Sequence, residues 1–572
     1  MFSTLLFALL SFPDISYNAL VPRQSKSPTA TVRNGSYYGL HNPTYNQDLF
    51  LGMPFAQPPT GDLRFRNPVS LNTSWTGNKN ATQYSHACYG YGSDDWVLGN
   101  PVSEDCLTLN VVRPAGIQAN EGLPVGVWIY GGGGYMGSSL DPRYNLSFIV
   151  QQSVELGKPF IGVSLNYRLQ AFGYLFGTAA LKAGVTNMGY RDQRLALQWI
   201  QENIAAFGGD PTKVTMQANR YDSWGESAGA SSVGVQLLAY GGRDDKLFRA
   251  AIQESGGHIS STRYINATTW DKYYNNITKA TNCSTAADTL ACLRKVPIES
   301  LNAVLNSSVT AQVPYWGAVV DNDMVIATGT RQLLDGKFIK VPLLHGRNFD
   351  EGTSFATKGI NTTDEFLADV MKAGPDNATA ATIAALYPDI PAIGIPATLS
   401  GRPPPSNASL GSQWKRESAY IGDLRQHAPR RLISQVYAAN NVSSWSYHFN
   451  VLVNGQPPAI GATHFQEVAF VFHNIEGMGY HNSVAEDPFE NKPASYNRLA
   501  TIMSRMWIGF IVDGDPNTNN ATSVQWPVYT LDKPQNIVFD ANATNLLYVE
   551  PDYYRAEGIQ YISDRLISTY GR

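Results

Sequence analysis

Apolar residues along this chain fall into short unbroken runs, separated by longer stretches in which they recur at helical spacing. Leu123–Tyr130 (LPVGVWIY) and Pro159–Leu165 (PFIGVSL) predict strands buried on both faces. A helix over Leu146–Leu156 fits between them. Asp192–Phe207 places Leu197, Ile200, Ile204 and Phe207 on one helical face, and Gly208-Gly209 stops it. Val214–Met216, Ala250–Ile252 and Val341–Leu344 predict further short strands, and Trp445–Val453 a longer one. Ala228–Tyr240 predicts a helix with Val233, Leu237 and Leu238 on one face. This alternation predicts an α/β fold, a central and mostly parallel sheet flanked by helices. The Ala/Pro/Gly/Ser-rich stretch 370–412 reads as loops and short helices on the same body.

Composition narrows the function. Of 572 residues, 43% are hydrophobic and 11% aromatic, enough for a large core. Only 15% are charged, with a net charge of −4, so no basic field is present to hold nucleic acid. No apolar run approaches the ~20 residues that span a bilayer. Solubility then needs another source. Asn-x-Ser/Thr sequons recur along the whole chain, among them Asn34, Asn72, Asn145, Asn276 and Asn542, and glycans there would supply it. Leu5–Leu10 is a short apolar core of the kind found in export signals. Residues 1–19 read as a signal peptide cleaved near Ala19, and the protein as secreted. Cys88, Cys106, Cys283 and Cys292 allow three pairings; the sequential one closes two short loops and suits an oxidising compartment. A metal site is the rival reading, but no C-x-x-C or Cys/His cluster supports it.

Gly225-Glu226-Ser227-Ala228-Gly229 has the form G-x-S-x-G. Its glycines permit a sharp strand-to-helix turn that exposes a serine hydroxyl, with the next amide aimed at a reacting carbonyl. The alternative is an ordinary helix N-cap serine. A glycine run, Tyr130–Tyr135, directly follows the first predicted strand and lets backbone N–H groups approach an oxyanion. Gly132, Gly134 and Gly137 also spell G-x-G-x-x-G, but the next strand ends in Leu165-Asn166-Tyr167-Arg168, without the acid that would hold a ribose. A serine nucleophile needs a base, and the base an orienting acid, in the chain order Ser, acid, His. Asp350 and Glu351 follow a predicted strand, and His427, His448, His464, His473 and His481 come after them. His464 hangs in a loop beyond the Trp445–Val453 strand, yet periodicity does not choose among the five.

Together with other segments, these residues resemble the type-B carboxylesterase/lipase family of cholinesterase-like α/β-hydrolases. The segments are Phe50–Ala56 with Pro58-Pro59, Gly61–Phe65, Glu104–Asn110, Asn166–Leu169, Phe207–Pro211, Trp507, Asp515–Asn517 and Trp526-Pro527. The resemblance implies one α/β-hydrolase domain over residues 28–565. It implies Ser227 as nucleophile, Glu351 as acid, His464 as base, and the amides of Gly132, Gly133 and Ala228 as oxyanion hole. It also implies disulfides Cys88–Cys106 and Cys283–Cys292, and a structural Glu104–Arg64 ion pair. The implied reaction is acyl transfer on a small-molecule ester, with no metal or organic cofactor; nothing in it fixes an oligomeric state.

Two departures stand out. Gln217–Ser223 is a polar insertion before Trp224-Gly225: a loop that could displace Ser227 or bulge out harmlessly, or an error in the gene model, which is preferred because the flanks VTM and WGESAG would join into a normal family sequence. Gly134 replaces an aromatic and is expected to widen the pocket beside the oxyanion hole. The stretch Tyr89–Asp105 is too short for a helical lid, and Tyr89, Tyr91 and Trp96 could line an aromatic entrance. Soluble or modest-chain esters are therefore expected, with a lipase or sterol esterase as the alternative and a non-catalytic binding member as the second.

Overall fold

A computed structural model of the protein describes residues 27–93, 98–219, 227–259, 262–263, 265–482 and 485–572. Eleven strands pair into one sheet. In chain order they are β1 (Leu40–Asn42), β2 (Gln47–Pro54), β3 (Thr108–Pro114), β4 (Leu123–Ile129), β5 (Ile161–Leu165), β6 (Gly209–Asn219), β7 (Ala250–Glu254), β8 (Leu343–Asn348), β9 (Ser444–Phe449), β10 (Gln535–Phe539) and β11 (Leu547–Pro551). Their spatial order is β11-β10-β9-β8-β7-β6-β4-β5-β3-β2-β1. Neighbours from β5 to β10 run parallel, whereas β1 to β3 and β11 pair antiparallel at the edges. The predicted α/β architecture is the one observed.

Helices cover both faces, which is why the central strands read as continuous apolar runs. The connecting helices are α1 (Leu146–Glu155), α2 (Met188–Asn203), α3 (Ala228–Gly242), α4 (Ala428–Ala439) and α5 (Ala494–Asp513). The first packs on α5, and α2 packs on α3. Asn145 caps α1, its side-chain oxygen accepting the Ser147 amide at 3.0 Å. The helix predicted over Asp192–Phe207 starts earlier, at Met188, and tightens into a 3-10 turn over Ile204–Phe207. Gly208 ends it with φ +90°, and a Cβ there would meet Ile117 at 2.3 Å.

The expected insertion is corrected in part. Strand β6 does not stop at Met216: Gln217 and Ala218 stay in register with β4, and Asn219 pairs with Glu254 of β7. Part of the polar stretch is strand, while Arg220–Ser223 lie outside the described residues. Residues 1–19, expected to be a signal peptide, lie outside them too. Both sequential disulfides, Cys88–Cys106 and Cys283–Cys292, are present. No helix among the described residues is long and apolar enough to cross a membrane.

Candidate active site

Because β6, β8 and β9 are parallel, their carboxyl ends lie on one side of the sheet, and the three candidate side chains follow them. Ser227 sits at the N-cap position of α3 with φ 131° and ψ −37°, a strained backbone for a non-glycine residue. Its side chain makes no capping bond, which disfavours the N-cap alternative. The hydroxyl is fully buried and finds no hydrogen-bond partner among the described residues. Gly225 and Glu226 of the motif lie outside them.

The glycine run after β4 folds back sharply. The Gly132 carbonyl accepts the Tyr135 and Met136 amides, both at 3.0 Å. Gly132 has φ +98°, and a Cβ there would sit 2.1 Å from the Met136 carbonyl oxygen, so glycine is required. The carbonyls are committed inward, and the amides of Gly132, Gly133 and Ala228 donate to no group among the described residues. The loop is held from the side by the Asn166-Tyr167 segment. Tyr167 donates to the Tyr130 carbonyl at 2.8 Å, and the Asn166 side chain accepts the Ser139 amide at 2.9 Å.

Gly134 does not widen the pocket. Its φ is +78°, and a Cβ would lie 2.4 Å from the Trp316 carbonyl oxygen and 3.3 Å from the Tyr174 ring. The Trp316 main chain and the Tyr174 ring stand where a side chain at position 134 would begin.

Past the end of β8 the two candidate carboxylates diverge. Asp350 accepts the Ala462 amide at 2.8 Å, and burial pushes its carboxyl up to about 7. Glu351 is fully buried; it accepts the Asn348 amide at 2.9 Å and is hydrogen-bonded through Oε2 to Nδ1 of His464. Burial alone would raise the Glu351 carboxyl, but the His464 charge and hydrogen bond, with help from Ser255 and Asn348, hold it below its ordinary value. An ionised carboxylate only accepts, so Nδ1 of His464 donates the proton of this bond, whichever form the ring takes.

His464 is braced from several sides. Asn348 donates to the Thr463 carbonyl at 2.6 Å, the Thr463 hydroxyl meets those of Thr353 and Ser354 at 2.8 and 2.7 Å, and the Phe355 ring stands edge-on at 5.1 Å. A cavity of about 330 Å³, lined by Ser354, Lys358, Ile460, Thr463, Phe465 and Tyr480, adjoins this loop. The other histidines bond elsewhere or lie at the surface: His427 to Tyr554 at 2.7 Å, His448 to Glu550 at 2.6 Å and His473 to Thr501 at 3.1 Å, while His481 is exposed.

Glu467 escaped the sequence reading. It accepts Asn348 at 2.7 Å and Ser255 at 3.1 Å, and burial raises its carboxyl. A lone acid opening the apolar segment VAFVF was the available signal. Arg64 grips Glu104 through two bonds of 2.6 and 2.7 Å. Its remaining nitrogen donates to three main-chain carbonyls, at Leu293, Arg294 and Val296, tying the two disulfide-bearing regions together. Of the entrance aromatics, Tyr89 stacks on Phe172 at 5.6 Å and Tyr91 donates to Asn302 at 2.6 Å, whereas Trp96 lies outside the described residues.

Residues 26–555 match the family model described as the carboxylesterase family. Lipase 5 of Diutina rugosa is 33% identical, across 94% of this chain and 96% of its own. Secreted lipase 1 of Botryotinia fuckeliana (strain B05.10) is 32% identical, across 92% of each chain. Among solved structures, Aspergillus niger EstA superposes with a TM-score of 0.78 at 26% identity, covering 95% of this chain and 99% of that one.

Proposed function

The chain belongs to the carboxylesterase family, and from that premise we propose that it is a secreted serine hydrolase of carboxylic esters working through Ser227, His464 and Glu351. Membership and the lipase relatives support an ester-hydrolysing enzyme over a non-catalytic member. The observation that carries the residue assignment is the buried Glu351–His464 pair, on the side of the sheet where Ser227 opens α3.

In this reading Nε2 of His464 takes the Ser227 proton as Oγ attacks the ester carbonyl. The imidazolium is stabilised by Glu351, and the amides of Gly132, Gly133 and Ala228 hold the oxyanion, each worth on the order of 3 kcal/mol. His464 then protonates the departing alcohol. Water repeats the attack on the acyl-enzyme and releases the acid. An organophosphate should label Ser227 at one per chain and abolish ester hydrolysis; labelling elsewhere, or full activity in Ser227→Ala, would overturn the assignment.

For the substrate, the short 89–105 stretch favours soluble esters, while relatives that bear the name lipase favour the long-chain alternative. Relatives matched over more than nine-tenths of the chain outweigh the length of one loop, so the long-chain reading stands first. p-Nitrophenyl esters of rising chain length decide between them. Secretion is supported by the two disulfides and by the secreted relative. N-terminal sequencing of protein from culture medium would test it, with a first residue near position 20 expected.

A further inference from the structure

Beyond the catalytic residues, one surface feature is built for contact with something uncharged. From Ile390 to Gly401 (IPAIGIPATLSG) the chain carries no ionisable side chain. At its tip Ile390 is 50% and Ile393 58% exposed, among the most exposed large apolar residues in the molecule. The tip is an ordered turn: the Ile390 amide donates to the Pro388 carbonyl at 2.8 Å and the Ile393 amide to the Ile390 carbonyl at 3.1 Å.

The charges at its base are neutralised. Asp389 and Arg402 flank the stretch and close on each other through two bonds of 2.9 Å. Lys415 beneath it turns its ammonium inward to the Leu399 carbonyl at 2.7 Å. An apolar tip whose neighbouring charges are already paired meets a low desolvation cost on entering an apolar phase.

Its position matters as much as its composition. The Thr398 hydroxyl donates to the Pro458 carbonyl at 2.7 Å, and Pro396 packs against Gly461, three residues before His464. The Trp414 indole donates to the Ala459 carbonyl at 2.8 Å. The turn is therefore fastened to the loop that holds His464.

We propose that this turn seats the enzyme on the surface of an uncharged ester lipid, with Ile390 and Ile393 entering the apolar layer. The proposal rests on the reading of the chain as an ester hydrolase with His464 among its reacting groups. The two exposed isoleucines of a turn tied to the His464 loop would contribute anchoring without touching the reacting atoms.

Cosedimentation of catalytically silent Ser227→Ala protein with triolein droplets coated in phosphatidylcholine tests it without any turnover. Adding Ile390→Ser and Ile393→Ser together should lower the bound fraction on the order of 30-fold, and Ile393→Trp should raise it. In the active background, the double variant should keep full rate on dissolved p-nitrophenyl butyrate and lose rate only on the droplets. Unchanged droplet binding in the double variant overturns the proposal. So does loss of self-association in size exclusion with droplet binding intact, which would assign the turn to a second copy of the chain. Activity surviving in Ser227→Ala would instead defeat the catalytic reading, and the sedimentation result would stand apart from it.

Discussion

Asp350 and Glu351 are neighbours in sequence, yet their carboxylates grip different atoms of one loop. Asp350 takes the Ala462 amide, and Glu351 takes the imidazole of His464 two residues further on. One carboxyl is pushed up to about 7 by burial, while the other is held down by its imidazole partner despite the same burial.

The two should separate cleanly on mutation. Glu351→Gln removes the charge that stabilises the imidazolium and is expected to lower kcat by roughly 10³–10⁴-fold. Asp350→Asn keeps an oxygen for the Ala462 amide and is expected to stay within about tenfold of the parent. Steady-state hydrolysis of p-nitrophenyl butyrate reads both. Equal losses would show that the acid assignment is wrong.

A second buried carboxyl sets a stability trend. Glu417 is fully buried, and burial, aided by the Asp369 charge, raises it from an ordinary 4.5 to about 8. A carboxyl raised on folding binds its proton more tightly in the native state. Its contribution is fully present below the unfolded value and is lost as pH climbs through the folded one. Glu417→Gln has no proton to lose. Relative to the parent, the variant should gain stability on the order of a few kcal/mol between about pH 5 and pH 9. Urea midpoints at the two pH values measure the gain, and a pH-independent difference would contradict it.

Legibility in the sequence follows burial. Strands β4, β5, β8 and β9 are covered on both faces, so sequence and environment agree and the apolar runs mark them. The end of β6 is different: backbone pairing with β4 and β7 continues through Gln217, whose side chain is satisfied inside by Glu254 at 3.0 Å. Periodicity registers polarity, not a buried partner, and so reads a loop there. Edge strand β11 is only partly buried and carries no unbroken run. His464 illustrates the same limit. Three of its four rivals are also held by polar partners, His448 even by the carboxylate of Glu550, and what distinguishes His464 is that its carboxylate, Glu351 from just past β8, is fully buried, a relationship no local pattern contains. The family motifs supplied that pairing, because they encode the outcome of the fold.

Sequons are equally legible as motifs and equally silent about geometry. Asn145 spends its side-chain oxygen on the Ser147 amide, and Ser147 itself is buried. The cap fixes the orientation of the Asn145 amide, and with the Ser147 hydroxyl buried a glycan on Nδ2 would have to leave a crowded surface. Asn72 and Asn276 are exposed. Glycopeptide mass spectrometry of secreted protein should find sugar at Asn72 or Asn276 and none at Asn145; sugar at Asn145 would contradict the crowding around its amide.

Gly134 turns the family comparison into an experiment. The residue that replaces an aromatic has φ +78°, and any Cβ there collides with the Trp316 carbonyl. Restoring an aromatic is therefore not a reversion but an insertion into filled space. Gly134→Phe is expected to destabilise the protein by more than ~2 kcal/mol and to reduce its yield. Even Gly134→Ala should carry much of that cost, since the strain lies in the backbone and the first carbon. The Gly134 carbonyl accepts the Gln170 amide at 2.7 Å, so a shift at this residue moves the loop that bears Gly132 and Gly133. Loss of kcat should accompany loss of stability in both variants. If Gly134→Phe folds as well as the parent and hydrolyses bulkier esters no worse, then Trp316 yields readily and does not set the width of the site.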